Sequence, residues 1–235
     1  MRKHLLTGDA VQIIGIMFLG SIFFTTLALA MEQPKSEKEK MLAGLPYFAG
    51  EKALSAERLK AREVLFEFNN SAPKFIKQRK QQLKNLFGKT ETNFYLEPPF
   101  RCDYGYNIEI GEHFYANFNL IILDCAKVSI GNDVFIAPNV GIYTAGHPIH
   151  PHLRNKEVEW AQPITIGDSV WIGAGAIINP GITIGNNVVI GSGSVVTKDI
   201  PDNVLAVGNP CRVIREITEA DKDFYRKNLR MPEER

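Results

Sequence analysis

The side chains in this sequence that could do proton or nucleophile chemistry are few enough to take one by one. His147 stands in Gly146-His147-Pro148, inside a long irregular stretch from Tyr143 to Gln162. A loop position gives the exposure that a general base needs to meet a substrate, and histidine can accept a proton near neutral pH. Taken alone, a loop histidine is more often plain surface. The cysteines Cys102, Cys125 and Cys211 are odd in number, widely spaced and free of any CxxC pair. That speaks against a disulfide framework or a cysteine zinc site and suits a reducing compartment. Each reads as a small buried hydrophobe. No serine or cysteine has a visible activating partner, so a covalent intermediate has no evident nucleophile.

The elements that must position His147 come from composition and periodicity. The chain has 235 residues, 45% apolar and 23% charged, which fits one soluble globular domain with some extra length, or at most two small ones, and speaks against disorder, collagen and a multi-span membrane protein. With 27 basic and 26 acidic side chains the net charge is +1, so there is no global basic field for nucleic acid. Residues Val11 to Ala30 form an uncharged apolar run behind Arg2 and Lys3. Residues 1–30 therefore read as an anchor, as a signal peptide ending in Ala28-Leu29-Ala30, or as a mis-assigned start ahead of Met31. From Ser55 to about Leu86 the spacing predicts two helices broken at Asn69 to Pro73. They form a helical N-terminal subdomain over 41–97, with Tyr47, Phe66, Phe68 and Phe75 as its docking contacts. The basic cluster Lys74, Lys77, Arg79, Lys80 and Lys84 reads as a solvated face.

After Pro98-Pro99 the period changes to six. Ile166, Ile172, Ile178, Ile184, Ile190 and Val196 share one register; Ile164, Val170, Ala176, Ile182, Val188 and Ser194 share a second, two residues ahead. Upstream, Ile110, Ala116, Ile122 and Val128 keep the same step, and Ile130, Ile136 and Ile142 resume it in a shifted phase. Each hexapeptide can supply a short strand with an apolar residue turned inward, then a tight turn where Gly or Asn tolerates positive φ. Three steps close a triangular coil, and coils stack on their neighbours. A sandwich would place turn signals every ~8 to 12 residues, which is too long.

These motifs resemble the hexapeptide-repeat acyltransferases, and within them the maltose and galactoside O-acetyltransferase group. The likeness rests on Met41-Leu42-Ala43-Gly44, Pro98-Pro99-Phe100-Arg101-Cys102-Asp103-Tyr104-Gly105, Phe114-Tyr115-Ala116-Asn117-Phe118-Asn119, Gly146-His147-Pro148, Asn179-Pro180-Gly181, Val196-Thr197-Lys198-Asp199-Ile200-Pro201 and Gly208-Asn209-Pro210-Cys211-Arg212. It spans about residues 41–220. The resemblance implies a mainly β fold, a left-handed parallel β-helix over 98–210 with the loop 143–162 and a C-terminal tail or helix over 211–235. It also implies a homotrimer with active sites between subunits.

The chemistry implied is acetyl transfer from acetyl-CoA to a sugar hydroxyl, with His147 as the base, no metal, and Asn117 beside the thioester. Trp171, Ala174, Ser192, Thr197, Lys198, Arg212 and Arg215 fall at CoA-contacting positions, where cations meet phosphates. Asp103, Asp124 and Glu159 fall where the sugar is bound. The chain departs from the galactoside enzymes at Cys125, where they carry a sugar-contacting Asp, and near Ala49, where an acidic residue is missing. Asp103 and Glu159-Trp160 resemble the maltose branch. A xenobiotic acetyltransferase is an alternative acceptor reading. A zinc lyase of the γ-carbonic-anhydrase type is another, with His147 and His152 five apart and His113 as third ligand. Acetyl-CoA and unpaired cysteines point to the cytoplasm, and a membrane enters only if residues 1–30 are retained.

Overall fold

The computed structural model describes residues 36–226 and 229–230. The apolar stretch 1–30 lies outside them. No helix among the described residues is long and apolar enough to cross a membrane.

The six-residue register becomes three flat faces. Face 1 consists of Lys89–Thr90, Ile108–Ile110, Val128–Ile130, Ile164–Ile166 and Thr183–Ile184. Face 2 consists of Phe94–Leu96, Phe114–Ala116, Phe135–Ile136, Trp171–Ile172, Val189–Ile190 and Val204–Val207. Face 3 consists of Phe100–Cys102, Leu120–Leu123, Gly141–Tyr143, Ile177–Ile178 and Val195–Val196. The chain visits faces 1, 2 and 3 in turn, and neighbours within a face are parallel, with Ile166 opposite both Ile130 and Ile184. The result is a three-sided parallel β-helix. Both expected registers point inward: Ile172, Ile178, Ile184, Ile190 and Val196 are fully buried, and so are Ile164, Ala176 and Val188. Ser194, the polar member, donates to the Gly191 carbonyl and accepts from the Gly208 N–H.

The turns differ from expectation in one respect. Left-handed φ falls two residues beyond Gly167, Gly173, Gly185 and Gly191, at Ser169, Gly175, Asn187 and Gly193, with values between +53° and +71°. Gly167 and Gly185 answer a steric need instead. They lie at the edge between faces 1 and 2, where a β-carbon on Gly167 would sit 2.8 Å from the Gly185 carbonyl oxygen. Beside this glycine column runs a side-chain ladder. Asn132 Oδ1 accepts from Glu112 N, Asp168 Oδ1 from Asn132 N, Asn186 Oδ1 from Asp168 N and Asp202 Oδ1 from Asn186 N, all within 2.7 to 2.9 Å.

Among the described residues, four helices precede or interrupt the coils: α1 (Glu37–Leu42), α2 (Lys52–Asn70), α3 (Ile76–Leu86) and α4 (Pro151–Arg154). α2 buries Leu54, Ala61, Leu65 and Phe68 at helical spacing. Leu65, Phe68, Leu83 and Phe87 join the first-coil residues Phe94, Leu96 and Phe100 in one core, so the helices close that end of the solenoid. Asn69 fastens α2 to the first coil by exchanging hydrogen bonds with the Phe100 N–H and C=O at 2.8 and 2.9 Å. At the opposite end Arg212–Glu216 returns antiparallel on Val204–Val207 and adds an outer strand to face 2, with all five of its residues exposed.

Three expectations need correction. The β-helix begins at Lys89 rather than at 98, because Pro98-Pro99 occupies a turn within the first coil between Phe94–Leu96 and Phe100–Cys102. Phe66 and Phe75 are 65% and 45% exposed rather than docked. The stretch 143–162 is ordered, with Ala145–Gly146 and Val158–Ala161 pairing antiparallel. Residues 211–235, expected as a tail or a helix, hold among the described residues a strand, a 3-10 turn at Glu219–Asp223 and a short hairpin.

Two substitutions separate inward packing from edge sterics. Ile184→Asp should leave no cooperative unfolding transition, since an unpaired carboxylate would replace a fully buried side chain. Gly167→Ala should lower stability by about 1–3 kcal/mol in chemical denaturation. Wild-type midpoints for either would contradict this packing.

Candidate active site

The edge between faces 3 and 1 is where the coil is interrupted. Residues 144–163 leave the barrel after Gly141–Tyr143 and return at Ile164–Ile166. The first part of that excursion pairs Gly146 with Trp160, and Tyr47 pairs with Glu159, so Tyr47–Phe48, Val158–Ala161 and Ala145–Gly146 form one small ribbon. Trp160 packs so closely on Gly146 that a β-carbon there would lie 2.5 Å from its ring. This holds the backbone just before His147.

His147 is half exposed, 51% by side chain. Its Nδ1 lies 3.3 Å from the Val158 carbonyl oxygen. A carbonyl can only accept, so the tautomer that makes this bond is the one with Nδ1 as donor, which leaves Nε2 as the nitrogen turned outward. Nε2 faces Glu159 Oε1 at 3.6 Å. The other Glu159 oxygen accepts from the Tyr47 hydroxyl at 2.7 Å. Tyr47, Tyr104 and Cys125 belong to one buried cluster. The Cys125 thiol donates to Asp103 Oδ2 at 3.5 Å, and Arg58 donates to the Tyr104 hydroxyl at 2.7 Å. Burial pushes the Asp103 carboxyl up from its ordinary range, with the Cys125 thiol and the Arg58 charge pulling the other way. Burial likewise raises the Tyr47 phenol and the Cys125 thiol, the latter helped by Asp103, so both are neutral donors.

Of the residues expected to act, His147, Glu159 and Asp103 come together at this edge. Asp124 belongs to the same edge but cannot touch a sugar. It is fully buried, and its carboxylate accepts from the backbone N–H groups of Asp103, Tyr104, Gly105 and Asn107 at 2.7 to 3.3 Å. It shapes the loop that presents Asp103. Thr197 and Lys198 also lie at the edge between faces 3 and 1, exposed.

Asn117, Ala174 and Ser192 occupy the other edge, between faces 2 and 3. Asn117 accepts from its neighbour's N–H, at Phe118, at 2.8 Å. The four-residue strand Leu120–Leu123 separates the two edges by ~13 Å at ~3.3 Å per residue. Trp171 is 54% exposed on the outside of face 2. Arg212 and Arg215 lie on the terminal strand, Arg215 paired with Asp221 at 2.8 Å. The zinc arrangement fails on position. His113 is at the edge between faces 1 and 2, 2.9 Å from Asp133, away from His147 and His152, and no group of three or more potential ligands converges among the described residues.

Tyr47, Arg58 and Tyr104 carry no signal of a site in the sequence, where Tyr47 reads as a docking contact for the helices. Tyr47 and Glu159 are 112 residues apart, and no spacing rule links them.

Asp124 supplies a test. Burial raises its carboxyl to about 7 against the pull of the Tyr104 and Gly105 N–H bonds. The unfolded chain titrates near ~3.9, so the folded chain holds an extra proton between those values, and this group's contribution to stability falls as pH rises through that window. In Asp124→Asn the contribution vanishes and donors face donors, costing about 1–3 kcal/mol. The Tm of wild type minus that of the variant should be larger at pH 5 than at pH 8; a pH-independent difference would refute the raised carboxyl.

Comparison with known proteins agrees with this architecture. Residues 40–91 match the family model described as the maltose acetyltransferase hexapeptide capping motif, and residues 163–198 match that of the bacterial transferase hexapeptide. The galactoside O-acetyltransferase of Escherichia coli is 48% identical over 193 residues, covering 82% of this chain and 95% of that protein. The crystal structure of a maltose O-acetyltransferase from Clostridium difficile superposes with a TM-score of 0.76 at 54% identity, over 78% of this chain and 98% of the other. A galactoside acetyltransferase solved in complex with coenzyme A superposes with a TM-score of 0.82 at 46% identity, over 85% of this chain and all of the other, 100%. By sequence and by fold, the chain belongs to the hexapeptide-repeat acetyltransferases, in the group that contains the maltose and galactoside O-acetyltransferases.

Proposed function

We propose that this protein transfers the acetyl group of acetyl-CoA to a hydroxyl of a saccharide, glucose- or maltose-like, with His147 as general base. The observation that carries the reading is the fixing of the His147 ring by Val158 and Glu159 at an exposed edge beside Asp103. With Nδ1–H committed to the Val158 carbonyl, Nε2 is the atom free to take the hydroxyl proton. The hydroxyl oxygen then bonds to the thioester carbonyl carbon, the C–S bond breaks, and the CoA thiolate leaves and is protonated. Glu159, held by Tyr47, stabilises the imidazolium that forms as the proton moves. Asp103 accepts acceptor hydroxyls. No acetyl-enzyme is formed.

The active unit is a homotrimer. His147 and Asn117 stand on different edges of one chain, so a second copy would bring its Asn117 edge to the His147 edge of the first. Phe118, Phe135 and Trp171, 48%, 53% and 54% exposed, supply apolar surface near that edge for such a contact. Ala174, Ser192, Thr197, Lys198, Arg212 and Arg215 would line the CoA cleft. The free, buried cysteines and the co-substrate favour the cytoplasm.

His147→Ala should lower kcat by ~10²- to 10⁴-fold with little change in the KM for acetyl-CoA, followed by thiol release with glucose or maltose as acceptor. Unchanged turnover, or an acetyl-enzyme trapped by acid quench, would overturn the base assignment.

A further inference from the structure

The terminal strand Arg212–Glu216 carries two arginines three residues apart, a spacing that puts side chains on opposite sides of a regular strand. Its pairing with Val204–Val207 is not regular. Leu205 lies opposite Arg215, Ala206 opposite Val213 and Val207 opposite Arg212, so Ile214 is an extra residue and the strand bulges there. Val204 and Ala206 are buried, whereas Leu205 and Val207 are the half-buried, outward members of their strand. The bulge therefore brings Arg212 and Arg215 to one side, the outer side of face 2, ~7 Å apart at ~3.3 Å per residue. Trp171 stands in the same row, which runs through Val189 and Leu205 to Arg215 across three strand spacings, or ~14 Å.

Arg215 is held in place. Its Nη1 and Nη2 donate to the two Asp221 oxygens at 2.9 and 2.8 Å, and Nη1 donates a second time to the Glu216 carbonyl at 2.8 Å. Asp221 is itself fixed, because its Oδ2 accepts from the Thr218 N–H at 2.8 Å at the start of the 3-10 turn. The Arg215 hydrogen bonds, followed by the Thr218 N–H, pull its carboxyl down to about 2, so the partner stays charged. An isolated surface ion pair contributes little, but a doubly bonded arginine–carboxylate pair inside a network fixes geometry. A guanidinium carries five N–H donors in one rigid plane. Three are committed here, and among the described residues the Nε–H and the second Nη2–H donate to no protein group. Those two N–H bonds lie side by side and parallel, the arrangement that two oxygens of one phosphate accept.

We propose that Asp221 is a positioning residue for the co-substrate: it clamps the Arg215 guanidinium from behind so that the Nε–Nη2 edge, with Arg212 alongside, receives a phosphate of acetyl-CoA. Asp221 touches no substrate and acts through Arg215. The inference rests on the reading that Arg212 and Arg215 line the CoA cleft.

The test uses the full chain with Asp221→Asn, which keeps an oxygen for the Thr218 N–H and loses the second bond to Arg215. Calorimetry should show CoA bound about fivefold or more weakly than by wild type, and Arg215→Ala should weaken it at least as much. The double variant should bind no worse than Arg215→Ala alone, because Asp221 acts only through that side chain. In thiol-release assays Asp221→Asn should raise the KM for acetyl-CoA by a factor about fivefold larger than that for acetyl-pantetheine, which carries no phosphate. Unchanged CoA binding would overturn the proposal, as would tighter binding, which marks the carboxylate as a competitor of the phosphate. So would losses that add in the double variant, an equal rise in KM for both donors, or a changed sedimentation coefficient, which assigns Asp221 to contact between copies. A wild type that binds CoA and acetylates no saccharide would overturn the saccharide reading instead and leave the binding comparison standing.

Discussion

The hydrogen-bonded stacking of one coil on the next is the constraint on which everything else depends. A coil of about three short strands has no interior of its own; it acquires one only because Ile166 has Ile130 beneath it and Ile184 above it. Stability in such a fold is summed over neighbours, so the terminal coils need partners. Leu65, Phe68 and Leu83 from α2 and α3 fill one end, and at the other the antiparallel return at Arg212–Glu216 pairs with the last strand of face 2. The helical cap therefore has two jobs. The same segment that completes the core delivers Tyr47 to Glu159 and Arg58 to Tyr104.

Rigidity from the stack is what allows a loop to hold chemistry. The excursion at 144–163 is tied down at both feet by strands of the barrel and across its middle by the Tyr47 ribbon. His147 is thus exposed without being loose. Asp124 does the equivalent for the neighbouring loop, its carboxylate gathering four consecutive-region N–H groups so that Asp103 projects outward.

The fold was largely legible from the chain itself, because a period of six in Ile and Val from 164 to 196 leaves few alternatives and every one of those positions is buried. The boundary at 98 is hidden because a Pro-Pro pair resembles a linker, whereas here it turns a corner inside the first coil. The exposure of Phe66 is hidden because aromatic character says nothing about which side of a helix faces the core. The site was legible only in part. Gly146-His147-Pro148 stands out as a local pattern, but the partners of Glu159 and Asp103 come from residues distant in sequence, Tyr47 and Cys125. Asp124 looks like a sugar ligand in the sequence because an acidic residue next to a candidate position has the same local pattern as one turned inward to bind main chain.

The ladder from Glu112 through Asn132, Asp168 and Asn186 to Asp202 has a consequence for how such a molecule can diversify. Each rung joins an amide nitrogen to a side chain in the adjacent coil at 2.7 to 2.9 Å, and the glycines beside it leave no room for a β-carbon. An inserted segment there would break two rungs and wedge the coils apart. The edge between faces 3 and 1 has already accepted twenty or so extra residues without disturbing the parallel register on either side. One edge is a spine closed to length variation and another is the place where lengthening is tolerated, so new acceptor preferences in this architecture can be expected to arise by remodelling a single corner.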